Sequence, residues 1–177
     1  MTNTVKNEVI DNDKSVIENT KIFTSNRKKT RKLLFQELYS LSLNKFDKEL
    51  FRESFFNEVH TFNIDENYLS EMHKIVIFNE KFFIHIFKIY APKFDVTKMS
   101  LSNILPVYIW LAEMFFITEE IPAKVSINEA VEIAKVYWDD SSKKIVNGIL
   151  NKVYKNHTEL DLIKNEKYDN INKSCFI

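Results

Sequence analysis

The sequence predicts an all-α protein, and three observations carry that prediction. One glycine and three prolines occur in 177 residues, too few for the hairpin turns that a sheet requires. Apolar residues supply 45% of the chain and aromatic residues 14%, the share expected of a globular core rather than of a disordered polymer. Apolar positions between the two ends recur at helical spacing in one segment after another, and no heptad or longer repeat appears. A chain of this length makes one domain with tails.

Residues 1–23 are rich in Asn, Asp, Glu, Lys and Thr and read as a disordered polar extension. The domain proper is expected over 24–156. Its first helix runs from about Asn26 to Leu43, with Leu34, Leu38 and Leu41 at helical spacing and Thr24 or Ser25 as cap. A second covers about Lys48 to Phe56, a third Glu66 to Phe78, and a fourth Glu80 to Tyr90, closed by Pro92. A fifth lies within Ser100 to Phe116, where Pro106 must sit in the first turn or bend the helix. The sixth is expected from Ser126 to Tyr137, because SINE reads as a capping box with Ser126 and Glu129 in the reciprocal roles. The seventh spans about Asp140 to Tyr154, with Asp139 and Asp140 at its positive end. Residues 157–177 form a second polar tail, in which Leu160 and Ile163 offer one short helix.

Several function classes are excluded early. His60, His73, His85 and His157 make no metal-binding spacing with a carboxylate, and one glycine cannot build a phosphate loop or a G-x-S-x-G elbow. Asp139 and Asp140 are better read as helix-capping carboxylates than as an acid–base pair, and Trp110 and Trp138 as core aromatics. The expectation is a protein that is not an enzyme, with no cofactor and no metal. Cys175 alone excludes a disulfide framework, fits a reducing cytoplasm, and lies third from the end, outside a prenylation box. The polar start has no signal-peptide core, and the most apolar run, Ile104 to Ile117, is too short to span a bilayer and contains Glu113. No membrane association is expected.

Formal net charge is zero, 25 basic residues against 25 acidic, so any affinity for nucleic acid must come from a local patch. One stretch qualifies. Lys21, Arg27, Lys28, Lys29, Arg31 and Lys32 fall in a segment without an acid between Glu18 and Glu37. Cations at a helix start oppose the macrodipole, and phosphate contact would offset that cost. Arginine forks suit phosphate geometry and lysines add point charge. A solvated basic face is the competing reading.

Two segments point further. NRKKTRKLLFQELYSLSL and IPAKVSINEAVEIAKVYWDDSSKKIVNGIL resemble the NusB family of bacterial transcription antitermination factors, in that order and at a similar separation. The resemblance covers about residues 24–156. It implies about seven helices arranged as two packed three-helix bundles. It also implies recognition of boxA-like single-stranded RNA in ribosomal-RNA leaders. That recognition is shared with the small-subunit ribosomal protein that acts as NusE, within an RNA polymerase antitermination complex and without covalent chemistry. Carried over by position, Arg27, Lys28, Lys29 and Arg31, extended by Lys32, would neutralise phosphates. Tyr39 matches a tyrosine near the RNA and partner surface, and Ser141, Lys144 and Ile145 match the RNA-facing start of the last helix. Ser141 stands where relatives often carry an acid, and Ile145 where they usually carry phenylalanine. An isoleucine forfeits much of the roughly 1–3 kcal/mol per base that aromatic stacking provides. The alternative function is therefore a NusB-like structural or dimeric interaction module with weakened RNA binding, and the chain is expected to be a monomer or a homodimer.

Gly148, the single glycine, lies inside the last helix, where it costs roughly 1 kcal/mol against alanine. Ile145, Val146, Ile149, Leu150 and Val153 form the expected buried stripe of that helix. Gly148 lies off its centre, between the directions of Ser141 and Lys144. Two explanations compete: close helix–helix packing, or space left for RNA or a partner backbone.

Overall fold

A computed structural model describes residues 27–43, 47, 49–51, 63–117, 121–137, 140–168, 170–171 and 174–176. The N-terminal extension, the expected caps Thr24 and Ser25, Trp138 and Asp139 lie outside these residues. Among them every regular element is helical. Helix α1 covers 27–42 and α2 is a single described turn at 49–51. They are followed by α3 (Glu66–Phe78), α4 (Glu80–Tyr90), α5 (Leu101–Phe116), α6 (Ala123–Tyr137), α7 (Asp140–Lys155) and α8 (His157–Ile163).

The helix ends follow from local chemistry. Asp65 caps α3 by accepting the Tyr68 N–H at 3.1 Å. Asn79 ends α3 and precedes α4 directly, its side-chain amide donating to the Ile75 carbonyl at 2.9 Å. Ala91 closes α4 by donating to the Phe87 carbonyl at 2.8 Å, and Pro92 follows. Pro106 sits in the second turn of α5 rather than the first, so the Ser102 carbonyl faces a residue with no N–H to give.

The start of α6 corrects the capping-box expectation. The Pro122 carbonyl accepts the N–H groups of Val125 at 2.8 Å and Ser126 at 3.1 Å, so the helix begins at Ala123, three residues before the expected start. Ser126 is interior and buried, and its hydroxyl donates to the Glu113 carboxylate instead of capping a backbone.

Helix α5 is the centre of the molecule. Twelve of its residues are buried, from Ser102 to Phe115, as expected of a helix that is apolar nearly all round. Helices α5, α6 and α7 pack pairwise into one three-helix unit, with α3 and α4 laid against it. Trp110 is fully buried, as are Tyr108, Phe83 and Phe87, which fits its reading as core.

The C-terminal residues are more than a polar tail. Leu160 of α8 and Ile171 are buried in the core. Lys164 donates to the Phe115 carbonyl at 2.9 Å, satisfying an open carbonyl at the negative end of α5. Tyr168 lies with its ring 5.7 Å from Phe82 and 4.8 Å from His85. The Ser174 hydroxyl and the Cys175 N–H, the latter at 2.5 Å, both donate to the buried carboxylate of Glu80.

Candidate nucleic-acid interface

Helix α1 has two faces of different chemistry. At 100° per residue, Lys28, Tyr39, Lys32 and Gln36 fall within an arc of about 80°, with Lys29 at its edge. Arg27, Arg31, Leu34 and Leu38 lie on an arc centred roughly 100° away or more. Burial follows that division. Lys28 and Lys29 are exposed, and Lys32, Gln36 and Tyr39 are half-buried. Arg27 and Arg31 keep only 8% and 5% of their surface, while Leu33, Leu34 and Leu38 keep none.

The two arginines are thus turned inward, away from where the expected phosphates would lie. Arg31 Nε donates to Glu113 Oε1 at 2.6 Å. The hydroxyls of Tyr68 and Ser126 donate to the same carboxylate. Arg27 Nη2 donates to Asp65 Oδ2 at 3.0 Å, and its guanidinium stands 4.7 Å from the centre of the Tyr68 ring. Asp65 returns a backbone N–H to Thr30 Oγ1 at 3.2 Å. The physical reason is spacing. Residues 27 and 31 are one turn apart on the face that also carries Leu34 and Leu38, and a charge on that face must find a partner inside. Burial alone would lower the Arg31 pKa. The charge and hydrogen bond of Glu113, together with Tyr68 and Glu129, outweigh burial and hold it raised. Burial, then Glu113, pushes the Tyr68 hydroxyl well above its ordinary value.

Sequence reasoning missed Glu113, Tyr68, Asp65 and Ser126 as a cluster. The available signal was Glu113 itself, the one acid in the apolar run Ile104 to Ile117, since a buried carboxylate demands a cation and hydrogen-bond donors.

Helix α1 runs alongside α6 in the same direction. Lys28 Nζ lies 3.5 Å from Glu129 Oε1, and further along α1 Gln36 Nε2 donates to the Tyr137 hydroxyl at 2.8 Å. The Phe35 and Tyr137 rings stack at 4.5 Å. The end of α1 therefore meets the end of α6. Phe35 also touches Tyr39, ring centres 6.0 Å apart, which places Tyr39 toward the end of α6. On α7, Ser141, Lys144 and Gly148 fall on the outward side, and Ile145 is half-buried against the core. Lys28 and Tyr39 are about 16 Å apart along the α1 axis. Along α1 the lysines therefore lie toward one end and Tyr39 toward the other.

The surroundings of Gly148 bear on the first of its two explanations. A Cβ built on it meets nothing within 4 Å, so close helix packing does not explain the glycine. Among the described residues no cluster of His, Cys, Asp or Glu fits a metal ion, and no helix is long and apolar enough to cross a membrane.

The sequence model of the NusB family matches residues 28–155. This chain belongs to the NusB family. The transcription antitermination protein NusB of Clostridium acetobutylicum is 30% identical over 138 residues, covering 76% of this chain and 98% of the relative. That of Buchnera aphidicola subsp. Cinara cedri is 34% identical over 140 residues, covering 78% and 96%. A chain from the crystal structure of a plectonemic RNA supercoil superposes with a TM-score of 0.64 at 21% identity, over 75% of this chain and 96% of that one, and shows the shared fold. The NusB match contains the whole of α3 to α7, and α8 with the docked C-terminal residues lies beyond it.

Proposed function

We propose that this NusB-family chain is a cytoplasmic transcription antitermination factor. It binds boxA-like single-stranded RNA of ribosomal-RNA leaders together with the small-subunit ribosomal protein that acts as NusE, and so joins an RNA polymerase antitermination complex. The activity is recognition, with no covalent step. One observation carries the reading: Lys28, Lys29 and Lys32 keep exposed surface on the side of α1 that carries the half-buried Tyr39, while the neighbouring arginines are held inside. Lysines on such a side neutralise phosphates, and a tyrosine at its end offers a ring for a base. Lys144 and Ser141 add a cation and a hydroxyl on α7. The phosphate contacts therefore fall to Lys28, Lys29, Lys32 and Lys144, with Arg27 and Arg31 as the frame behind them.

Titration of boxA RNA against a scrambled sequence, with the cognate ribosomal protein present, tests this. A clear preference for boxA that weakens steeply with salt is expected; equal binding of both RNAs sinks the proposal. Ile145 favours a second reading, because it is half-buried and aliphatic and supplies no stacking ring. If the chain sediments as a salt-insensitive dimer without RNA affinity, it is an interaction module of the NusB type.

A further inference from the structure

The lysine stripe can meet RNA only if α1 is held at one rotational setting about its own axis. Packing of Leu33, Leu34 and Leu38 buries α1 firmly, but apolar contact is non-directional. Side-chain positions stand about 5–6 Å from a helix axis, so a rotation of about 30° carries them about 3 Å sideways. That is the length of a whole hydrogen bond.

We propose that the Arg31–Glu113 pair, closed by the Tyr68 and Ser126 hydroxyls, is a rotational lock on α1 whose members are positioning residues for the Lys28–Lys32–Tyr39 stripe. A guanidinium N–H donated to a carboxylate is directional where apolar packing is not. Glu113 belongs to α5, the most enclosed helix, and accepts from α1, α3 and α6 together. The angle of α1 is thereby set against three helices at one point. Arg27 on Asp65, one turn earlier, supplies a second point along the axis. The inference rests on the RNA-binding reading above for its purpose, and on the geometry alone for the lock.

The test replaces the pair by apolar side chains of similar volume, R31M with E113L, a change that buried ion pairs commonly tolerate without loss of fold. Spin labels at the exposed Lys29→Cys and Lys74→Cys positions, in a Cys175→Ser background, read the setting of α1 against α3 without any RNA. The parent is expected to give one narrow distance, and the double variant a distance shifted or broadened by about 3 Å. In parallel, unlabelled double variant with the cognate ribosomal protein is expected to bind boxA RNA at least about tenfold more weakly. Its log–log salt slope should be shallower by about 0.7 for each phosphate that is no longer neutralised. An unchanged distance distribution overturns the lock. A shifted distribution with unchanged RNA affinity overturns its positioning role. If the parent itself fails to prefer boxA, the functional reading falls while the spin-label distances still decide the lock. Should the double variant not fold, Y68F with S126A keeps both charges and frees the carboxylate. The same shift with about threefold weaker binding is then expected, and an unmoved α1 refutes the proposal.

Discussion

Gly148→Ala makes a two-sided test of the α7 surface. Glycine inside a helix loses more backbone freedom on folding than alanine, at a cost of roughly 0.5–1 kcal/mol. The usual reasons to keep it are absent. It lies in the middle of α7, it is exposed, and a Cβ would meet no atom within 4 Å. The substitution is therefore expected to stabilise the chain by about 0.5–1 kcal/mol, a rise in Tm of roughly 1–4 °C for a domain of this size. Urea denaturation followed by far-ultraviolet circular dichroism measures it, with the m-value unchanged. A loss of stability would show a packing constraint on α7 and refute the reasoning. The second half is binding. Gly148 points within about 20–40° of Ser141 and Lys144, so a methyl there intrudes where RNA or partner backbone would approach. A variant that is more stable yet binds the boxA–ribosomal-protein pair at least about tenfold more weakly is the expected result. Unchanged binding would remove Gly148 from the recognition surface.

The remaining predictions separate frame from surface. Arg31→Ala leaves Glu113 buried without its cation, and a loss of about 3–5 kcal/mol is expected in denaturant melts. Lys28→Ala removes only a surface pair with Glu129 and is expected to change stability by less than about 1 kcal/mol. Replacing Lys28, Lys29 and Lys32 together by Ala is expected to leave the fold intact and flatten the salt slope of RNA binding by about 2. An unaltered slope would place the RNA elsewhere. Ending the chain at Lys155 uncovers the sites of Leu160 and Ile171 and leaves Glu80 without its two donors, which is expected to cost on the order of 3–6 kcal/mol in the same melts. Burial, and then the Glu80 carboxylate, push the Cys175 thiol up to about 12 from 9.0. It is expected to react with a disulfide reagent at pH 8 roughly a hundredfold more slowly than in the urea-unfolded chain. The sign for stability follows: the unfolded thiol ionises first, so this contribution is intact below about pH 9 and is lost as pH rises toward 12.

How much was legible in the sequence depended on which force set each feature. Helices α3 and α4 appear with the expected ends, because Asn79 and Pro92 are local breaks that no tertiary contact overrides. The start of α6 differs because a capping box and a buried hydroxyl use the same residues, and only the arrival of Glu113 from α5 decides between them. The basic cluster was visible as charge but not as two faces. Helical phase from Leu34 and Leu38 would already have turned Arg27 and Arg31 inward. The docked C-terminus was not legible because its anchors, Leu160, Lys164, Tyr168 and Ile171, are too sparse to make a periodic pattern. Each contributes through a partner far away in sequence.

The Arg31–Glu113 bond spans 82 residues of chain, and this has a consequence for synthesis. At about 5–20 residues per second, α1 leaves its place of translation roughly 4–16 s before its carboxylate partner exists. During that interval Arg31 has no carboxylate of α5 to turn toward. Arg27 gains Asp65 after 38 residues, and Arg31 finds its carboxylate only when α5 follows. The first helix made thus receives its buried ion-pair partner late, and the seating of α5 takes a cation of the basic segment out of solvent.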